Sequence, residues 1–92
     1  MNKRGMLTLD ELKAKAHKLD PVVHIGTKGV TDEVIAEIDR ALRSHELIKV
    51  RAGSMERDAR DEAFDSICAR TGAEAVQQVG KVFVLFRKKN DE

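Results

Sequence analysis

Near the C-terminus five consecutive residues, Val82-Phe83-Val84-Leu85-Phe86, are apolar without interruption. A strand sends successive side chains to opposite faces, so such a run avoids water only in the interior of a sheet that is covered on both sides. Glu74 to Val79 reads as a strand just before it. Gly80-Lys81 between them is a two-residue loop with glycine first, the pattern of a type II′ hairpin turn. The rest of the chain therefore has to supply a second neighbour for this strand and a cover for each face.

The upstream segments have the patterns for that. Thr8 followed by Glu11 forms a capping box, and Leu9, Leu12, Ala16 and Leu19 recur at helical spacing until Asp20-Pro21 ends the helix. Val22 to Ile25 is a short β-branched run, read as a strand, and Gly26-Thr27-Lys28-Gly29 breaks it. Thr31 caps a second helix, with Asp32 and Glu33 at its positive end and Val34, Ile35, Ile38, Ala41 and Leu42 in one stripe through about residue 45. Leu47 to Ala52 alternates as a strand, burying Ile48, Val50 and Ala52 and turning at Gly53-Ser54. A third helix runs from about Glu56 to Arg70, burying Ala59, Ala63, Phe64 and Ile67, and Gly72 is its left-handed cap. The fold class is α+β in the order αβαβαββ. Right-handed crossovers place the second and third helices on one face. Putting the two-faced apolar strand inside gives a four-stranded mixed sheet of order 1-2-4-3 with strand four antiparallel. The first helix is left for the second face.

A chain of 92 residues suits one domain, with a core over about 7–87 and flexible ends at 1–6 and 88–92. The lone Cys68 has no internal partner for a disulfide, which fits a reducing compartment. No apolar run of signal-peptide or membrane-spanning length is present, so a cytoplasmic location is expected. The formal net charge is only +1, but the charge is segregated: net +3 over residues 1–30, −3 over 31–46, +2 over 47–53, −2 over 54–72 and +1 thereafter. The acidic stretches coincide with the second and third helices, which predicts a bipolar surface.

Gly26-Thr27-Lys28-Gly29 stands between a strand and a capped helix. A backbone that presents its amides to a phosphate needs residues without an obstructing Cβ, and a helix start and a lysine add positive potential. A G-x-x-G loop in this setting clamps the nucleic-acid backbone in KH domains. The competing reading is a plain strand-to-helix turn. His24 occupies the position that a dinucleotide fingerprint would give to a further glycine. Lys49 and Arg51 fall on one face of their strand, where Lys13, Lys15 or Lys18 of the first helix can join them in a basic surface. Neither His17, His24, His45 and Cys68 nor Ser44, Ser54 and Ser66 are spaced as a metal site or an activated nucleophile, so neither an enzyme nor a metal or cofactor is expected. Tyrosine and tryptophan are absent. Base stacking would depend on phenylalanine, and recognition of backbone and shape suits the composition better.

Several separated blocks, in order along the chain, resemble the YhbY family, the stand-alone bacterial form of the CRM (chloroplast RNA splicing and ribosome maturation) domain. They are Ala16-His17-Lys18-Leu19, Pro21-Val22-Val23, Ile25-Gly26-Thr27-Lys28-Gly29-Val30-Thr31, His45-Glu46-Leu47-Ile48-Lys49-Val50, Thr71-Gly72-Ala73 and Val84-Leu85-Phe86-Arg87. Together they span about Leu7 to Arg87. The resemblance implies a fold similar to the C-terminal domain of translation initiation factor three. It also implies binding to structured RNA, association with large-subunit (pre-50S) ribosomal precursors, and no catalytic activity. The family's loop corresponds to Gly26, Thr27, Lys28 and Gly29, and its basic surface to Lys18, Lys49, Arg51 and Arg87. The chain departs from the family pattern in having Thr27 before Lys28, where lysine commonly follows the first glycine, and Phe86 where tyrosine is frequent. The expected protein is thus a monomer that assists ribosome assembly by gripping ribosomal RNA, with no membrane or small-molecule partner. The alternative is a protein-binding adaptor that uses the acidic helix faces.

Overall fold

Local sequence signals set the helix starts in the computed structural model, which describes residues 7–89. The Thr8 hydroxyl accepts the Glu11 amide at 3.1 Å and the Glu11 carboxylate accepts the Thr8 amide at 2.8 Å, opening α1 (Leu9–Ala16). Thr31 caps α2 (Asp32–His45) in the same way, its hydroxyl accepting the Val34 amide at 3.1 Å. α3 (Arg57–Thr71) ends on Gly72, whose φ of 74° makes it the left-handed residue that stops the helix.

Between the helices lie β1 (Val23–His24), β2 (Leu47–Arg51), β3 (Glu74–Val79) and β4 (Val82–Phe86), so the element order is αβαβαββ, as expected. The sheet order is β1-β2-β4-β3, with β1 parallel to β2 and β4 antiparallel to both neighbours. Gly80 has a φ of 56° and Lys81 has no positive φ, which suits the type II′ turn.

Both faces of β4 are covered. On one, Phe83 and Leu85 join Ile48 and Val50 of β2, Ile38 and Leu42 of α2, and Phe64 and Ile67 of α3. The rings of Phe64 and Phe83 stack 4.6 Å apart and 5° from parallel. On the other, Val84 and Phe86 meet Leu12 and Ala16 of α1, with Val76 added from β3 at a bulge between Ala75 and Gln77.

Three residues on the apolar periods are left exposed, Leu9 (37%) at the start of α1 being one. α1 stops at Ala16 instead of reaching Asp20, because the Lys18 and Leu19 amides bond back to the Lys15 and Ala16 carbonyls in a tight turn. Leu19 is left 39% exposed, outside the core. Ala59 is exposed as well, since the inward stripe of α3 follows Ala63, Phe64, Ile67 and Thr71 with half-buried Arg60 ahead of them.

Beyond β4, Arg87 locks the layers together. Its guanidinium donates to Asp39 Oδ1 at 2.7 Å, to the Thr71 carbonyl at 2.7 Å and to the Asp39 carbonyl at 3.2 Å, joining the sheet to α2 and to the end of α3. Its amide donates to the Glu46 carbonyl at 2.9 Å. Glu46 is the one non-glycine residue with positive φ (63°) among those described, and its carboxylate accepts the Lys89 amide at 2.7 Å. Within the end expected to be flexible, 88–92, Lys89 has this hydrogen bond. The remainder of that segment from residue 90, and residues 1–6, lie outside the described residues.

Phe83→Ala should lower stability by about 3–5 kcal/mol in urea titrations, whereas Leu19→Ala should cost less than about 0.5 kcal/mol. The Arg87 guanidinium, first by its hydrogen bond and then by its charge, holds the Asp39 carboxyl below the usual carboxylate range against the opposing effect of burial. The folded-state value is then lower than the unfolded one. This contribution is complete above the unfolded value and is lost as pH falls through the folded one. Arg87→Ala should be less stable than wild type at neutral pH, and the difference should shrink below a pH of about 4. A constant difference across that range would contradict the assignment.

Candidate nucleic-acid interface

At the end of β1 the Ile25 amide still pairs with the Arg51 carbonyl at 2.9 Å. The next residues leave the sheet. Gly29 donates its amide to the Gly26 carbonyl at 3.0 Å, closing a turn around Thr27 and Lys28, and Thr31 donates to the Gly29 carbonyl at 3.1 Å before it caps α2. Gly29 has a φ of 78°, which requires glycine at little strain cost, while a Cβ on Gly26 would meet nothing within 4 Å. Gly26, Thr27 and Lys28 are exposed, and their three amides have no hydrogen-bond partner among the described residues. Gly29 is different, because its amide is already engaged inside the turn.

The turn leaving β2 fixes the height of this loop. Gly53 has a φ of 70°, and a Cβ there would lie 2.7 Å from the Ile25 carbonyl oxygen, so only glycine lets the two turns approach. Met55 packs beside Gly29, with its Cε 3.9 Å from where a Gly29 Cβ would be. Asp32 and Glu33 stand in the first turn of α2 and offset the positive end of its dipole. Lys28 and the free loop amides supply the positive potential.

The expected basic residues divide into three groups. Lys49 and Arg51 lie on the face opposite the buried Ile48 and Val50, on the same side of the sheet as α1. There Lys13 joins them along one groove. Arg51 is also paired with His24, two positions before Gly26, which makes this side continuous with the loop. Lys15 and Lys18 lie on the other flank of α1, along a separate apolar groove with Leu7, His45 and Glu46. Arg87 does not belong to the surface at all. It follows Phe86, which pairs with Leu47 at the far end of β2 from Arg51, and its guanidinium is engaged by Asp39 and Thr71. Its charge at the end of a strand was legible in the sequence, but its partners from α2 and α3 were not.

Lys81 was missed. The Ala52 amide donates to the Lys81 carbonyl at 2.6 Å, which puts this exposed lysine at the Arg51 end of the sheet. The strand order 1-2-4-3 already implied that proximity, since it sets the end of β2 beside the start of β4. Lys13, Lys28, Lys49, Arg51 and Lys81 enter no salt bridge among the described residues, whereas Arg43, Arg70 and Arg87 are paired with α2 carboxylates. The exposed acids Glu33, Glu37, Asp58, Asp61, Glu62 and Asp65 lie on α2 and α3, the helices that cover the opposite face, while Asp10 and Glu11 are exposed on α1 and Asp20 just after it.

The three phenylalanines are buried, at 7% exposure for Phe64, 0% for Phe83 and 5% for Phe86, so no ring is presented for stacking on a base. Burial, and then the charge of Asp65, push the half-buried Cys68 thiol up to about 11, so it stays protonated and unreactive at neutral pH. No group of acids, histidines or Cys68 that would hold a metal ion occurs among the described residues, and no helix there is long and apolar enough to cross a membrane.

Known proteins share both the sequence and the fold. The chain is 41% identical to an RNA-binding protein of Haemophilus influenzae, over 87% of this chain and 81% of that one. It is also 41% identical to a probable RNA-binding protein of Pseudomonas aeruginosa, over 85% and 75% of the two chains. The solution structure of a Staphylococcus aureus protein proposed to bind RNA superposes with a TM-score of 0.80 at 32% identity, covering 94% of this chain and 93% of the other. With the model of the CRS1 / YhbY (CRM) domain matching residues 8–87, nearly the whole described region, the chain belongs to the CRM domain family.

Proposed function

We propose that this protein is a non-catalytic RNA-binding domain that grips folded RNA by its phosphates, at the loop Gly26–Gly29 and the adjoining cations Lys13, Lys28, Lys49, Arg51 and Lys81. The observation that carries the reading is the loop itself: three exposed residues, one of them Lys28, whose amides have no internal partner among the described residues, at the end of the sheet where Arg51 and Lys81 stand. Unengaged N–H groups in a turn form a concave anion site, and cations outside salt bridges release counterions when they meet phosphates. The relatives named as RNA-binding proteins support the same choice of polymer. Within that class, the family resemblance favours ribosomal RNA in precursors of the large subunit. The protein would then act in the cytoplasm, as a monomer, as an assembly factor. Segregation of charge supports an orientation, with α2 and α3 facing away from the RNA.

A structured ribosomal RNA fragment, titrated by fluorescence anisotropy at several salt concentrations, tests the mechanism. Log affinity should fall linearly with log salt. Lys28→Ala and Arg51→Ala should each reduce the slope by about 0.7–0.9 and weaken binding, whereas Arg43→Ala on α2 should leave the slope unchanged. Gly26→Asp should weaken binding with the fold intact, because the position is open and carries no positive φ. Gly29→Asp is a poorer probe, since its φ of 78° strains any side chain. Binding without a salt slope would overturn the proposal.

A further inference from the structure

α1 has only eight residues and covers part of its sheet face, leaving a groove of about 810 Å³ between itself and the outer ends of β2, β3 and β4. We infer that this groove receives an unpaired nucleobase of the RNA, an inference that rests on the phosphate-gripping reading above and adds a second contact to it. Val79 and half-buried Val82 form the apolar floor, with Val84 buried beneath them at 2% exposure, and Val79, 56% exposed, is the more open of the two. Lys13, Lys49 and Arg51 stand around it, with Asp20 the one acidic residue among the lining side chains. A volume of this size falls within the ligand-cleft range of about 300–1,000 Å³.

The charge selects the occupant. An apolar floor with a cationic rim suits a flat heterocycle attached to phosphates, whereas an apolar peptide gains nothing from three unpaired cations. The groove on the other flank of α1 lacks that bias, because Lys15 and Lys18 share its lining with two acids, Asp20 and Glu46. A paired duplex presents phosphates and sugars on its outside and has nothing to set on an apolar floor of Val79 and Val82, so the base must leave its stack. With every phenylalanine buried, the valine face is the apolar surface at hand for it. Arg51 connects the two contacts: it lines the groove, and its strand neighbour His24 leads into Gly26. One RNA strand is thereby able to lay a phosphate on the loop and a neighbouring base in the groove.

The test compares two synthetic RNA hairpins of identical stem, one fully paired and one with a three-nucleotide uridine bulge, against wild type and Val79→Asn. Asparagine is close to valine in size and uncharged, and circular dichroism checks the fold. Wild type should prefer the bulged hairpin by about ten-fold, the effect of burying one valine-sized apolar surface. Val79→Asn should lose most of that preference while keeping wild-type affinity and salt slope for the paired hairpin. Photocrosslinking of 4-thiouridine in the bulge should label the peptide spanning residues 76–84. Equal affinity of wild type for the two hairpins, undiminished preference in Val79→Asn, or crosslinks confined to other peptides would overturn the groove assignment and leave the phosphate grip standing. Loss of the salt slope on both hairpins would overturn the grip itself. Exclusion of the groove by a bound protein, with RNA affinity unaffected, would reassign it to a protein partner.

Discussion

The covering of β4 on both sides is the constraint from which the other parts take their places. A strand of five apolar residues buried on two faces needs two layers, and α2 with α3 supply one while α1 supplies the other. The two layers are unequal. The first closes around the stacked pair Phe64 and Phe83, and the second ends after two turns of helix and leaves sheet uncovered. That inequality produces the candidate surface: where the cover stops, Arg51 and Val79 are exposed and Lys49 and Val82 are half-exposed.

Most of the architecture was legible because each element carried its own local signal. The Thr8–Glu11 box, the Thr31 cap, the Gly72 stop and the Gly80-Lys81 turn all depend on residues within a few positions of one another. The strand order followed from burial of β4 alone. What escaped were outcomes of long-range packing. Leu19 lies on the helical period of α1, yet the chain tightens after Ala16 and carries it outward. Ala59 is apolar and near the stripe of α3, but the stripe passes beside it. Periodicity reports which side of a helix is apolar, and it does not report where a short helix ends or how wide a strip its neighbours cover.

The surface was legible to a similar depth. The loop and the pair Lys49 and Arg51 were readable from spacing within one turn and one strand. The split of Lys13 from Lys15 and Lys18 depends on which flank of α1 each occupies once the helix is docked. Arg87 is the instructive failure: in sequence it is one more cation after an apolar strand, whereas in the fold it is a structural bolt between β4, α2 and α3. A formal charge identifies a candidate for binding an anion, and the partners already around it decide whether it remains available.

Gly53 carries a consequence of its own. Because its bare α-carbon lies against the Ile25 carbonyl, the turn after β2 acts as a shim under the end of β1, a strand of only two residues. A strand that short gives the glycine loop few sheet hydrogen bonds of its own. Wedged from below, the loop holds its amides at a set elevation relative to Arg51, so the geometry proposed for gripping a polyanion would be in place before the polyanion arrives.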